Sequence, residues 1–360
     1  MVAMSEIRVD PTMDRPGDRS SRARLLGVCL AVLMALVVVF SLTTGASGIN
    51  AAEVMAGWLR GEPMASRDAV ILWQIRLPRT LTGIAVGASL AVSGALMQGL
   101  FRNPLADPGI IGVSAGAGLG AIGAIVLGGM LPILLRDLAS IYLVPIAAFF
   151  GAWLSMLLLY RIATRQGRTS VAMMLLAGIA LAALAGAFSG MMIFIADDAQ
   201  LRDLTFWGLG SLGGATWPKV ATAYVIMTPA LICALFLTRG LNGLALGEAG
   251  AFHIGIPVQR VKILTILCVG AATGAAVAVS GGIGFVGIVV PHLLRLISGP
   301  DHRFLIPNAA LLGASLLLVA DVISRVIMAP AELPIGVITA VLGGPFFLWI
   351  LLRQRGVLDM

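Results

Sequence analysis

Residues Arg76 to Gly116 read RLPRTLTGIAVGASLAVSGALMQGLFRNPLADPGIIGVSAG. Two arginines, Arg76 and Arg79, flank Leu77 and Pro78 and open a long apolar run dotted with Gly, Ala and Ser. The run ends in a polar elbow, Arg102-Asn103-Pro104-Leu105-Ala106-Asp107-Pro108, and the chain then turns apolar again at once. An apolar segment of about 20 residues crosses the hydrocarbon core of a bilayer. The stretch therefore predicts two membrane helices joined by a proline-bracketed turn.

The rest of the chain repeats that theme. Of its 360 residues 59% are hydrophobic and only 11% charged, with a mean hydropathy of +1.01. Soluble domains carry roughly 25% charged residues, so the solvent of this surface is lipid. The fold class is an all-α integral membrane protein. Ten spans are expected, at about residues 25–44, 77–100, 109–127, 138–160, 170–195, 218–237, 260–280, 283–297, 304–328 and 334–352. A short interfacial helix is expected at Ala51 to Leu59, and a long amphipathic connection at Thr238 to Gln259. Residues 1–24, with five arginines and no apolar run, read as a disordered basic tail ahead of a single ten-helix membrane domain at 25–355. No convincing cleavage site follows, so the first span reads as a retained helix.

A net charge of +7 would suggest nucleic acid in a soluble chain. Here only two of the 24 basic residues are lysine and the arginines are scattered among loops, so no nucleic-acid partner is expected. With ten spans both termini share a side. Sixteen of the 24 basic residues fall on that side and eight on the other, which makes the termini cytoplasmic.

Several motifs invite chemistry and fail on context. Gly118-x-Gly120-x-x-Gly123 has dinucleotide spacing and Gly112-Val113-Ser114-Ala115-Gly116 has nucleophile-elbow spacing, yet both need a strand that membrane helices do not provide. They read instead as small-residue faces for helix packing, as do Gly178, Ala182, Gly186 and Gly190 in the fifth span and Gly270, Gly274 and Ala278 in the seventh. Gly45-Ala46-Ser47-Gly48 resembles the serine motif of rhomboid proteases, but His253, His292 and His302 are expected near the opposite side of a roughly 30 Å core. Cys29, Cys233 and Cys268 lie in apolar runs without metal-ligand spacing, so no metal site is expected. A P-loop requires Gly-Lys followed by Ser or Thr, and neither Lys219 nor Lys262 has that context. Intramembrane charge is scarce: Asp321, one turn before Arg325, is the clearest case. Ion-driven secondary transporters usually carry several such acids, so if the chain is a transporter its energy is expected to come from another chain.

These residues carry a family resemblance. RLPR, GALMQGLFRNPLADP and IGVSAG, then LLAGIAL, GGIGFVGIVVPHLLR and ADVISRVIMAPAELPIGVITAVLGGPFFLWILLR, resemble in order the FecCD-type permeases of iron-siderophore, heme and cobalamin importers, over residues 25 to 355. The resemblance implies a type II ABC importer permease fold in the bacterial inner membrane. It implies a homodimer with two copies of an ABC ATPase subunit below, which use ATP and magnesium, and a periplasmic binding protein above. The permease itself would hold no cofactor and catalyse nothing. Matched positions make Arg76, Arg79 and Arg325 the docking arginines for acidic side chains of the binding protein. Leu241 to Pro257 matches the segment that couples to the ATPase, with Gly247, Glu248, Ala251, His253 and Gly255 as its marked residues. Asn103 and Leu105, with Ser170 and Val171, match the cytoplasmic gate, and Met173, Met174, Met191 and Met192 would line the pathway. The stretch Asp197 to Trp217 is similar to the heme-importing branch, which makes a heme-binding protein the expected partner and heme (hemin) the expected cargo, ahead of a ferric siderophore and cobalamin.

Overall fold

The computed structural model describes residues 19–45, 57, 60, 66–109, 112–132, 142–166 and 168–358. Fourteen α-helices follow in order among them: α1 (Ser20–Thr43), α2 (Ser66–Val70), α3 (Leu77–Phe101), α4 (Val113–Leu127), α5 (Leu143–Ala163), α6 (Val171–Ile195), α7 (Asp198–Leu209), α8 (Trp217–Phe236), α9 (Thr238–Leu244), α10 (Glu248–His253), α11 (Val258–Ser280), α12 (Val286–Ser298), α13 (His302–Val326) and α14 (Ile335–Leu358). A two-residue hairpin, β1 (Thr164–Arg165) with β2 (Arg168–Thr169), joins α5 to α6. Eight helical segments are long and apolar enough to cross a membrane, and α12 and the Ile335–Ile350 part of α14 are shorter apolar helices. Each of the ten expected spans is thus a helix.

Two termini differ from expectation for local reasons. The second span begins upstream: a π-helical segment, Ile71–Arg76, joins α2 to α3 without a break. The third begins at Val113 rather than Gly109, because the Gly109 N–H bonds Asp107 Oδ1 (2.7 Å) and Gly112 sits at φ +89°. The expected interfacial helix and Ser47 lie outside the described residues, Gly57 apart. Helix α7 was not foreseen. Its start is a capping box, in which Asp197 Oδ1 accepts from Gln200 N–H and Gln200 Oε1 accepts from Asp197 N–H.

Helix α3 is the hub of the bundle, buried along nearly its whole length among α8, α11, α12 and α13. Its glycines make this possible. A side-chain carbon at Gly87 would strike the Gly313 carbonyl of α13, and one at Gly94 would strike the Gly287 carbonyl of α12. Backbone thus packs on backbone, the close approach that drives association where lipid supplies no hydrophobic force. Gly116 and Gly120 of α4 meet Gly151 and Ala147 of α5 in the same way. The α6 stripe behaves differently. Nothing lies within 4 Å of a side-chain carbon at Gly186 or Gly190, and Leu176, Ile179, Phe188 and Phe194 are exposed.

Helix α12 has 13 residues and rises only about 20 Å, short of a roughly 30 Å core. The loop before it, Gly281 to Phe285, therefore lies at membrane depth, where backbone must find protein partners. It does: the Gly282 N–H reaches Trp207 O (3.4 Å) and the Ser280 carbonyl accepts from Ser211 N–H (2.8 Å).

Candidate functional site

The spans alternate, so the chain has two ends: one holds the Arg102–Pro108 elbow, the other the start of α3 and the end of α13. At the second end, Arg76 and Arg79 lie three residues apart on one helical face, directed at α1 and α13. Asp321 and Arg325 lie four apart on α13 and face them.

The contacts form one network. Arg79 Nε donates to Asp321 Oδ1 (2.9 Å), and its NH1 donates to Glu332 Oε1 (2.7 Å) and Oε2 (2.9 Å). Arg325 NH2 pairs with Asp321 Oδ2 (3.0 Å) and bonds Ser41 Oγ (3.1 Å), while its NH1 reaches the Thr44 carbonyl (3.1 Å). Arg76 NH1 donates to the carbonyls of Leu42 (2.6 Å) and Thr43 (3.1 Å). Two arginines therefore cap the C-terminus of α1, whose last carbonyls lack helical partners and carry partial negative charge.

All three arginines are buried, at 4–6% exposure, and Asp321 is wholly enclosed. Glu332 differs, its side chain 46% exposed. Among the described residues the three arginines gather around Asp321 and Glu332, with one of the two carboxylates at the surface. That suits recognition of a carboxylate by forked donors. The sequence placed the arginines together. It did not disclose Glu332 or the α1 carbonyls as their partners.

At the elbow end the connection after α8 forms two short helices, α9 and α10. Gly247 (φ +90°) and Gly255 (φ +80°) bracket α10 in conformations that glycine tolerates. Ala251 is fully buried, and His253 is exposed beside Phe252. Glu248 Oε1 pairs with buried Lys262 Nζ of α11 at 2.6 Å. A groove of about 970 Å³ lies beside α10, lined in part by Arg102, Glu248, Phe252, His253 and Arg260.

The elbow is rigid by its own bonds. Asn103 Oδ1 accepts from Leu105 N–H (3.0 Å), and both residues are half-buried. Ser170 is the exposed N-cap of α6, its Oγ accepting from Met173 N–H (3.3 Å), and Val171 is the first residue of that helix. Elbow, hairpin and coupling helices converge: Arg102, Thr169, Leu244, Glu248 and Lys262 line one small cavity.

A second polar node lies alongside. Asn242 of α9 accepts at Oδ1 from the His302 N–H (2.9 Å) and from His302 Nδ1 (2.8 Å), and donates from Nδ2 to Asp301 Oδ1 (2.7 Å). His302 Nδ1 is then the protonated nitrogen, and Nε2 is left to accept from Arg295 NH2 (3.5 Å). No sequence motif marked this node.

The four methionines separate. Met173 and Met191 are exposed and Met192 is half-buried near Gly123. Met174 is fully buried in the core, so here it packs instead of facing open space. Among the described residues no cluster of His, Cys, Asp and Glu could hold a metal ion.

Known proteins share this architecture. The chain is 44% identical to the hemin transport system permease protein HmuU of Yersinia pestis, over 91% of this chain and 96% of that protein. It is 42% identical to the vitamin B12 import system permease protein BtuC of Escherichia coli O9:H4, over 96% and 99%. The solved structure of an inward-facing metal-chelate type ABC transporter superposes with a TM-score of 0.79 at 30% identity, covering 92% of this chain and 99% of that one. The profile of the FecCD transport family matches residues 33–353. The chain therefore belongs to the FecCD transport family, as the non-enzymatic membrane subunit of an ABC importer.

Proposed function

We propose that this permease carries heme (hemin) from periplasm to cytoplasm, as a homodimer in the bacterial inner membrane with both termini cytoplasmic. Two ATPase subunits binding ATP and magnesium power it, and a periplasmic heme-binding protein delivers the cargo. The observation that carries the heme reading is the similarity of Asp197–Trp217 to heme permeases, joined by the likeness to the hemin permease. The likeness to the vitamin B12 permease is nearly as great, so cobalamin is the second reading, with a ferric siderophore beside it.

In this reading Arg76, Arg79 and Arg325 form the docking site for the binding protein. Gly247 to Gly255 is the surface presented to the ATPase, and the groove beside α10 is where that partner seats. Asn103 and Leu105 with Ser170 and Val171 close the cytoplasmic end. Met173, Met191 and Met192 line the pathway, offering a soft apolar surface to a flat macrocycle.

The test is uptake by proteoliposomes holding permease, ATPase and binding protein, comparing hemin, a ferric siderophore and cobalamin. ATP-dependent accumulation of hemin alone is expected. If hemin neither accumulates nor stimulates hydrolysis while cobalamin does, the cargo assignment is wrong. Uptake driven by an ion gradient without the ATPase would overturn the energy source.

A further inference from the structure

The docking arginine Arg79 is already occupied. Its guanidinium offers a fork whose Nε side is held by Asp321 at 2.9 Å and whose NH1 side is held by both oxygens of Glu332, at 2.7 and 2.9 Å. The two acids are not alike. Asp321 is wholly enclosed and shared with Arg325. Glu332 lies in the turn between α13 and α14, with a side chain 46% exposed.

We propose that Glu332 is a built-in competitor for the docking carboxylate, a surrogate ligand that the binding protein must displace from Arg79 NH1. The inference rests on the docking reading above. An incoming carboxylate that accepts from that same nitrogen meets Glu332 there, and two anions cannot share it without repulsion. Asp321 cannot yield as readily, because its carboxylate is wholly enclosed and has no water to replace the Arg79 bond. Glu332 can, because its carboxylate rehydrates as it swings outward. Without a partner, Glu332 gives Arg79 a second carboxylate beside Asp321, which Arg79 has to share with Arg325. With the partner seated, one intermolecular pair replaces one intramolecular pair, so the gain is small and docking stays reversible. A pair with one partly exposed partner is the right kind of competitor for an interaction that must form and break in every cycle. Glu332 is thus a residue that sets docking strength without being a docking contact.

The experiment measures binding of the cognate periplasmic binding protein to the full permease–ATPase complex in lipid nanodiscs. Four forms are compared: wild type, Glu332→Gln, Arg79→Gln and the double variant. Glu332→Gln is expected to tighten docking roughly threefold, the scale of a partly exposed ion pair, and the gain should vanish in the double variant and at high salt. Arg79→Gln should weaken docking. If Arg79→Gln weakens docking but Glu332→Gln leaves it unchanged or weaker, the competitor is refuted while the docking site stands. If Arg79→Gln has no effect, the docking reading itself falls and takes the competitor with it. Should Arg79→Gln fail to assemble, Arg79→Lys keeps the charge but not the fork and replaces it, with weaker docking again expected.

Discussion

Arg79 and Asp321 are 242 positions apart in sequence, yet their side chains meet at 2.9 Å inside the bundle. The pair ties the start of the central helix to the end of α13, and Asp321 binds Arg325 as well. One enclosed carboxylate therefore holds two arginines in register.

Removing that carboxylate should be severe. Asp321→Ala leaves two buried guanidiniums short of a counter-charge, and breaking a buried pair costs about 3–5 kcal/mol. The expected result is a much lower unfolding temperature of the purified permease in detergent, with poor assembly. An unchanged melting temperature would mean that the arginines find equal partners elsewhere.

Backbone-on-backbone packing makes an equally sharp contrast. Gly94→Ala places a carbon against the Gly287 carbonyl, where backbone has to shift. Overpacking of this kind costs about 1–3 kcal/mol or more. Gly186→Ala meets nothing within 4 Å in the single chain and should leave folding intact. Thermal denaturation of both variants tests this, and equal stability would contradict the packing described for α3.

How far such features can be read from sequence depends on whether their causes are local. The Arg76–Gly116 stretch was legible because each part carries its own signal: a span of fixed length, two prolines and paired arginines. Gly247 and Gly255, which the family resemblance marked, prove to bracket the short α10. Helix α7 was missed, although Asp197 and Gln200 form a capping box that could have announced it. Glu332 was illegible as a partner of Arg79, because only the tertiary fold brings positions 253 residues apart together. Met173 and Met174 are neighbours with opposite fates, exposed and enclosed. A helix with apolar residues on every side gives no periodicity to decide between them.

The Asp301 carboxyl gives a pH dependence. Burial raises its affinity for protons, but hydrogen bonds from Arg303 and Asn242 and the charge of Arg303 outweigh that and hold it below its ordinary value. A carboxyl with a depressed folded-state value stabilises the fold above its unfolded value, near 4, and loses that contribution as pH falls through the folded one. The stability gap between wild type and Asp301→Asn should be constant above about pH 5 and shrink below about pH 4. Melting temperatures across that range will show it. A gap independent of pH would mean that Asp301 serves only as a neutral cap.

Asn242 offers the strongest test of how the two ends communicate. Its amide joins α9, at the start of the proposed coupling segment, to Asp301 and His302, and His302 begins α13, which ends at the Asp321–Arg325 pair. One helix thus runs from the end proposed to meet the ATPase to the end proposed to receive the binding protein. Asn242→Ala leaves the His302 N–H and Nδ1–H without their acceptor, at a cost of about 1–3 kcal/mol for each buried orphan. The coupling segment should then move independently of α13. Expected is a fall in the ratio of binding-protein-stimulated to basal ATP hydrolysis in proteoliposomes, while affinity for the binding protein, set at the other end, stays within twofold or so. A preserved ratio in a destabilised Asn242→Ala protein would reduce the node to a structural clasp and place the coupling route through α3 and the elbow instead.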